Sequence, residues 1–600
     1  MILQSLHDYY ERKRDSLPDL GVERKELPFL LVLKPDGNFL HIQDTRQGEG
    51  KLRRGKTFLV PQAVKKSVNV AANLLWGNSE YVLGLPDPKK LAEQRQKGTE
   101  KHYRERLLQM CREFRAEIER LPDDVRSGAG VSAALTFLSR GDFAAVLADP
   151  LWSQLNADGA NFSLKIAGEE CPVCSDSGVL AMIEPAAPGD NGQDLCLITG
   201  RSDVIERLHP PIKGVWGSQT SGANIVSFNL SAFCSYGREQ GANAPVSKRA
   251  AFAYTTALNH LLSSKQRMQV GDASTVFWAA SENRMESLLA QLFAEPSKSD
   301  PDQGVNAVKE LFDAPKAGTP AIYDDGTRFY VLGLAPNAAR IAVRFWHVAT
   351  VGALACNIRQ HFADLDIVRA RYVERPFLSL KALLLAVSPL DDLEKLPPNL
   401  GGDFMKTILA GTPYPQTLLQ AALRRIHAEQ AKKDSKTGKH RDHIPYARAA
   451  LIKAWLNRHA RNANPSQDRE INMALDENNT NTGYRLGRLF AVLERVQEDA
   501  NPGVNTTIRD SYFGAASSTP SAVFPTLMRR NQHHMTKLRK EKPGLYVNRD
   551  KLIQAICNDG IDGDQGFHAT LSLEDQGRFV IGYYQQRQDF FKTSTKGSGQ

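Results

Sequence analysis

Two apolar runs closed by Pro-Asp-Gly-Asn, "FLLVLKPDGNFLHI" (residues 29–42), constrain the fold of this chain more than any other stretch. Asp-Gly supplies the positive-φ position that a tight hairpin turn needs, so an antiparallel pair is expected near the N-terminus. A second pair is expected in "FYVLGLAPNAARIAVRFWHV", with its turn around Pro336-Asn337. From about residue 351 the apolar spacing turns helical almost throughout. The expected fold class is therefore α+β: a mixed N-terminal region of β-hairpins and helices, then helical segments, then a C-terminal four-helix bundle.

Local signals fill in this frame. A helix is expected over 3–15, a strand in "FLVPQ" (58–62), and a strand in "NLLWGNSEYVLGLPDP" (73–88). Residues 88–121 read as one amphipathic helix with Leu107, Leu108, Cys111, Phe114 and Ile118 on its apolar face. Another helix is expected from near Val246. In "YARAALIKAWLNRHA" the apolar side carries Ala449, Ile452, Trp455 and Leu456. The polar stretch "NANPSQDREINMALDENNTNTG" reads as a linker, and helices are expected over 483–499, 521–541, 549–558 and 573–592, before a disordered tail "TSTKGSGQ". Six hundred residues exceed one ordinary core. Three regions are expected: a mixed α/β region (1–300), an α+β to helical middle (301–470) and the bundle (471–600).

An apolar fraction of 42% and a charged fraction of 24% describe a soluble globular chain. No apolar run approaches the roughly 20 residues of a spanning helix. The N-terminus turns charged too early for a secretory signal. Seven scattered cysteines fit a reducing cytosol better than a disulfide framework. A cytoplasmic protein without a membrane partner is expected. The net charge of +9 is compatible with nucleic acid but does not establish it, so the placement of the charge matters more. Lys51, Arg53, Arg54, Lys56, Lys65 and Lys66 form a basic stretch with no acidic residue between them. Residues 421–462 are the most basic segment, with eleven Lys/Arg against Glu429, Asp434 and Asp442, a net of +8.

Three motifs invite chemical readings. "GKLRRGKT" (50–57) has P-loop spacing, but a P-loop opens a helix, and "FLVPQ" after it reads as a strand. A basic loop between strands is the better reading. Cys171, Cys174, Cys196 and His209 offer a Cys₃His set, against the alternative of buried and turn cysteines. "SQTSG" offers Ser218 and Ser221 without a Gly-x-Ser-x-Gly elbow or a placed His/Asp partner. No catalytic residue, metal or cofactor is expected. The polar loop "GSQTSGAN" has amides and hydroxyls suited to base edges, and small residues that allow close approach to a groove.

The stretches "HPPIKGVWGSQTSGANIVSFNLSAFCSYGREQGANAPVSKRAAFAYTTALNHLL", "LGLAPNAARIAVRFW", "RAALIKAWLNR", "GYYQQRQDFF", "MILQSLHDYY" and "NLLWGNSEYVLG" together resemble the large subunit of the type I-C CRISPR Cascade complex, the Csd family. The likeness runs from residue 1 to about 592 in the same order, and includes neither the P-loop spacing nor "CPVC". It implies a non-enzymatic subunit of an RNA-guided complex that reads a PAM in double-stranded DNA, starts unwinding and R-loop formation, and helps recruit a helicase-nuclease. The implied partners are the guide RNA, target DNA, the backbone and handle-binding subunits, and small subunits. Carried onto this chain, Asn73, Gln219 and Asn224 are expected at base edges or the minor groove, with Ser221 in the same loop. Lys65, Lys66 and Lys213 are expected on phosphates. In the bundle, Arg529, Arg530, Lys537, Arg539, Lys540 and Lys542 are candidates for the backbone of displaced single-stranded DNA, against the alternative of a solvated helix face. Translation from Met473 would give a second, 128-residue helical product (473–600), the implied source of small subunits. A nucleic-acid enzyme with its own ATP or metal site, and a scaffold that touches only protein and guide RNA, are the competing readings.

Overall fold

The first hairpin forms where its turn chemistry places it. Lys34 N–H donates to Asn38 O (2.8 Å) and Gly37 N–H to Lys34 O (2.9 Å). Asp36 accepts from the Asn38 backbone N–H (2.9 Å) and side-chain amide (2.8 Å). Gly37 sits at φ +82°, and a Cβ there would meet Thr136 at 2.9 Å, so both conformation and packing require glycine. In this computed structural model the residues described are 1–48, 53–64, 70–157, 159–183, 193–317, 324, 326–338, 340–369, 376–432, 442–463, 470–558, 561 and 567–591. They fold as two compact units. One comprises Tyr10–His209 and Phe228–Ala257; the other comprises Met1–Tyr9, Pro210–Ser227 and Leu258–Gln600.

The unit containing the first hairpin is mixed α/β. Its strands are β1 (Val22–Glu26), β2 (Phe29–Leu33), β3 (Phe39–Asp44), β4 (Thr57–Pro61), β5 (Trp76–Gly77), β6 (Phe162–Ile166), β7 (Gln193–Leu195) and β8 (Ser202–Val204). The main sheet runs β3-β2-β6-β5, with β2 antiparallel to β3 and parallel to β6. All five residues of β2 are buried, as a central strand covered on both faces requires. β1 pairs with β4 from Val22↔Pro61 to Glu26↔Thr57. Two expectations change here. "NLLWGNSEYVLGLPDP" supplies only the two residues of β5, because Asn78 caps a short helix, Ser79–Val82, by accepting from Tyr81 N–H. The 88–121 helix is two, Pro88–Gln96 and Glu100–Glu119, separated at Gly98 (φ +68°). The buried face of the second is Leu107, Met110, Phe114 and Ile118, whereas Leu108 is exposed.

In the second unit β9 (Arg267–Val270), β10 (Ala273–Ala279), β11 (Arg328–Asn337) and β12 (Arg340–Thr350) form an antiparallel sheet in the order β12-β11-β10-β9. The expected second hairpin is β11–β12, but its turn falls beyond Pro336-Asn337, which pair with Ile341 and Arg340. Gly333, at the β-bulge, lies where a Cβ would come within 2.3 Å of the Phe345 ring. Thr350 then caps the Val351–Leu365 helix. From there to the C-terminus the described residues are largely helical, around one apolar core that extends from this sheet to Tyr584.

The C-terminal segment holds five helices among the described residues, one more than expected: Thr482–Ala500, Ile508–Ser518, Pro520–Glu541, Pro543–Asn558 and Leu573–Asp589. The additional one, Ile508–Ser518, starts where Asp510 accepts from Thr507 N–H (2.8 Å). The first and last of the five cross backbone to backbone. A Cβ on Gly487 would lie 2.0 Å from Phe579 O, one on Gly582 2.1 Å from Tyr484 O, and one on Gly483 2.5 Å from Asp575 O. The "GYYQQRQDFF" stretch follows in the same interface as a buried polar network. Tyr583 OH and Arg587 both bond Glu494 (2.6 Å each), Tyr484 OH bonds Gln585 (2.5 Å), and Arg488 bonds Gln586 (3.1 Å). This stretch is structural: it locks the two helices together.

Candidate nucleic-acid interface

The "GSQTSGAN" stretch lies in a loop closed at its base by two backbone hydrogen bonds between Ile212 and Ala223 (2.8 and 2.9 Å). Side chains from regular elements pin it. Asn259 accepts from Lys213 N–H (2.8 Å) and donates to Pro211 O (3.3 Å), and Ser274 on β10 accepts from Trp216 N–H (2.9 Å). Val215 anchors it in the core. Gly222 (φ +96°) would, with a Cβ, meet Ile212 O at 2.8 Å, which keeps the loop narrow. A turn from Gly222 N–H to Gln219 O (2.9 Å) sets the tip. What remains outward is Lys213, Trp216, Gln219, Thr220 and Ser221, all exposed. Asn224 sits at the foot, half-buried, its side chain donating to Pro210 O (3.5 Å) and its carbonyl accepting from Ile341 N–H (3.0 Å). The loop is thus a rigid presentation of amide, hydroxyl and ammonium groups with an exposed indole beside them.

Asn73 lies in the other unit and is buried, its Oδ1 accepting from Val64 N–H (3.0 Å). Lys65 and Lys66 lie outside the described residues. Of the basic stretch around them, Arg53 bonds Asp44 (2.9 Å) and Lys56 lies 5.4 Å over the Phe58 ring. Gly55, a glycine of the P-loop spacing, packs where a Cβ would stand 2.8 Å from Pro28. Thr57 opens β4 and not a helix, so Lys56 has no helix N-terminus beside it on which phosphates could rest.

On the Pro520–Glu541 helix the apolar face is Val523, Phe524, Leu527, Asn531, Met535 and Leu538. Arg529, Arg530, Lys537, Arg539 and Lys540 are all exposed, and Lys542 follows at the helix end, bonded to Asp499 O (2.8 Å). At 100° per residue, Arg529, Arg530, His533, Lys537 and Lys540 form one stripe along a flank of the helix, while Arg539 lies on the opposite flank. Among the described residues no carboxylate pairs with the five candidates. The Asp499 carboxylate, whose backbone carbonyl Lys542 bonds, is paired with Arg495 (3.1 Å) and Arg549 (3.0 Å). Arg530 lies 5.4 Å over the Tyr512 ring and Lys537 donates to Asn501 (3.1 Å). Sequence reading missed His533 and Tyr512 here, although the i+3 spacing from Arg530 marked the first.

The most basic segment, 421–462, behaves differently. Arg425, Arg448, Lys453 and Arg458 are buried. Arg448 bonds Glu429 (3.0 Å), Ala386 O (2.8 Å) and His443 O (2.6 Å). Arg458 lies 3.5 Å from Asp364 and 4.5 Å over the Tyr414 ring. Residues 433–441 of this segment lie outside the described residues. Of the cysteines and histidine weighed as a Cys₃His set, three make structural contacts. Cys174 is buried, which pushes its thiol up to about 11. Cys196 accepts from Ser247 N–H (3.3 Å), and His209 bonds Tyr254 OH (2.6 Å). Among the described residues no three His, Cys, Asp or Glu side chains gather as metal ligands.

A family model described as CRISPR-associated protein (Cas_Csd1) matches residues 6–591. The chain belongs to the Csd1 family. Csd1 proteins are the large subunits of type I-C Cascade and are generally non-catalytic. No curated protein matches the chain. No helix among the described residues is long and apolar enough to cross a membrane. Among the described residues, the loop exposes amide, hydroxyl and ammonium groups of the kind that meet base edges, and the helix stripe exposes cations without carboxylate partners.

Proposed function

We propose that this Csd1 chain reads the PAM in double-stranded DNA, starts strand separation, and presents the opened target to a helicase-nuclease. Supporting this is the pinned loop 212–223, which holds Gln219 and Ser221 outward on a narrow, rigid hairpin with Lys213 at its base. A side-chain amide donates and accepts at once, as base-edge reading needs, and an ammonium beside it fixes register on phosphate. Asn224 supports the loop from below. Lys65 and Lys66 are the DNA-contacting residues proposed for the other unit; Asn73, buried and bonded to Val64 N–H, supports the segment that carries them instead of meeting a base edge itself. Functionally the chain divides into a PAM-proximal region (1–300), a middle region (301–470) and a bundle resembling a Cascade small subunit (471–600). In the bundle, Arg529, Arg530, Lys537, Arg539 and Lys540 hold displaced single-stranded DNA. The remaining partners are guide RNA, the backbone and handle-binding subunits, and small subunits translated from Met473. Changing the Met473 codon to a non-start codon abolishes that product; its persistence refutes this start.

The test of PAM reading assembles the complex with guide RNA and either the parent chain or Gln219→Ala. Gln219→Ala weakens binding to a PAM-bearing duplex by roughly tenfold, the worth of one good base contact. It leaves binding to a PAM-free, pre-opened duplex unchanged. Equal loss on both substrates contradicts the proposal.

A further inference from the structure

A cavity of about 230 Å³ opens beside the cation stripe, lined by Leu493, Ile508 and Leu527 as apolar walls. Asn531 also lines it, although its residue is only 7% exposed, and the Asn531 Oδ1 is buried without a hydrogen-bond partner. Leaving a buried amide oxygen unpartnered is costly, so its retention inside this buried helix face points to an occupant that supplies a donor. The other amide here, Gln497, is already engaged, its Oε1 accepting from Ile508 N–H (2.9 Å). At the mouth stand two exposed, flat, stacking groups, Arg530 and His533, with Arg530 itself lying over Tyr512. His534 lines the remaining side. Its Nδ1 accepts from Asn501 (3.3 Å), and burial, with the charges of His533 and Lys537, holds the imidazole below its usual pKa.

We propose that this cavity captures a single unstacked base of the DNA strand that runs along the helix, with the Asn531 amide pairing to the base edge. The proposal rests on the strand-holding role given above to Arg529, Arg530, Lys537 and Lys540. The volume matches about seven or eight waters at about 30 Å³ each, room for one base. An asparagine amide matches the adjacent donor and acceptor of adenine, so a purine edge of that kind is the preferred occupant. Lys537 and Lys540 lie roughly 10 and 15 Å along the axis from Arg530, so a backbone following them passes the mouth. Arg530 and His533 then cover the base as it enters, as stacking planes do in single-strand binders.

The test uses the full-length chain with short single strands of deoxyadenosine and with an abasic sugar-phosphate strand of equal length. Asn531→Leu, close in volume and without the amide, lowers affinity for the deoxyadenosine strand by roughly tenfold and leaves the abasic strand unchanged. A 2-aminopurine placed in the strand brightens on binding the parent chain and not on binding Asn531→Leu. Where thermal unfolding shows that Asn531→Leu disturbs the bundle, the surface variant His533→Ala carries the same comparison, with a severalfold loss confined to the base-bearing strand. Equal effects on the two strands, or none on either, overturn the base cavity. A combined Arg530→Ala, Lys537→Ala and Lys540→Ala variant separates the two claims. If it weakens both strands while Asn531→Leu discriminates nothing, only the cavity fails. If it weakens neither, the strand-holding role fails and the cavity with it.

Discussion

Two basic regions of this chain, 421–462 and the Pro520–Glu541 helix, place their cations differently. In 421–462 four of the described cations, Arg425, Arg448, Lys453 and Arg458, turn inward: Arg448 and Arg458 are among the largest fully buried side chains of the molecule, held by Glu429 and Asp364. On the Pro520–Glu541 helix the cations turn outward and none has a carboxylate partner among the described residues. The lesson is that net charge along a sequence does not locate a nucleic-acid face. Helical phase relative to the apolar positions decides which cations meet solvent and so which could meet phosphate. Buried cations with partners hold a fold together, whereas exposed ones without partners remain available to phosphate.

The sharpest way to break this contrast is to remove an inner carboxylate. Glu429→Ala leaves Arg425 and Arg448 buried without it and lowers stability by about 3–5 kcal/mol, read by denaturant unfolding. A loss under about 1 kcal/mol means that the inner cluster is not structural. Next comes the helix crossing. Gly487→Ala forces a Cβ against Phe579 O and costs about 1–3 kcal/mol, with correspondingly earlier thermal unfolding. An unchanged melting curve means that the two helices do not meet at their backbones.

Acid should act most strongly on the fully buried histidines. Burial holds the His361 and His443 imidazoles well below their usual value, with nearby arginine charges adding to the effect. The unfolded chain therefore binds protons first. Their contribution is intact above pH of about 6.5 and is lost progressively as pH falls from there toward their folded values. The slope is about 1.4 kcal/mol per pH unit for each histidine. His361→Phe and His443→Phe each flatten that slope, and an unaltered slope contradicts the assignment. The smallest stability effect belongs to the outer cations. Lys540→Ala shifts stability by less than about 0.5 kcal/mol, yet weakens single-stranded DNA binding and lowers its salt slope by about 0.7. A stability loss without a change in salt slope would make Lys540 a structural residue.

What the sequence disclosed follows physical range. The first hairpin was legible because its turn chemistry is local, down to the Asp36–Asn38 contacts; the second was legible from its paired apolar runs, although its turn falls beyond Pro336-Asn337. The cation stripe was legible because helical phase is local too, although Arg539 lies on the other flank. Burial of Arg448 and Arg458 was not legible, since Asp364 and the carbonyls they bond lie far away in sequence. Nor was the crossing at Gly483, Gly487 and Gly582, whose reason is a partner backbone about ninety residues distant. The Ile508–Ser518 helix had a signal in Thr507 and Asp510, masked by the Asn-Pro-Gly that precedes it. The strand expected at 73–88 shrank because the Asn78 cap competes with extension. At the candidate interface, sequence identified Gln219 and Ser221 as polar and adaptable. It did not reveal that Asn259 and Ser274 pin their loop, nor that Asn73 is turned inward.

The most direct measurement compares guide-loaded complexes with and without this subunit on two target duplexes that differ only in the PAM. A PAM preference present with the subunit and lost without it is the predicted result. A preference that survives its removal places PAM reading elsewhere and leaves this chain a scaffold and strand guide.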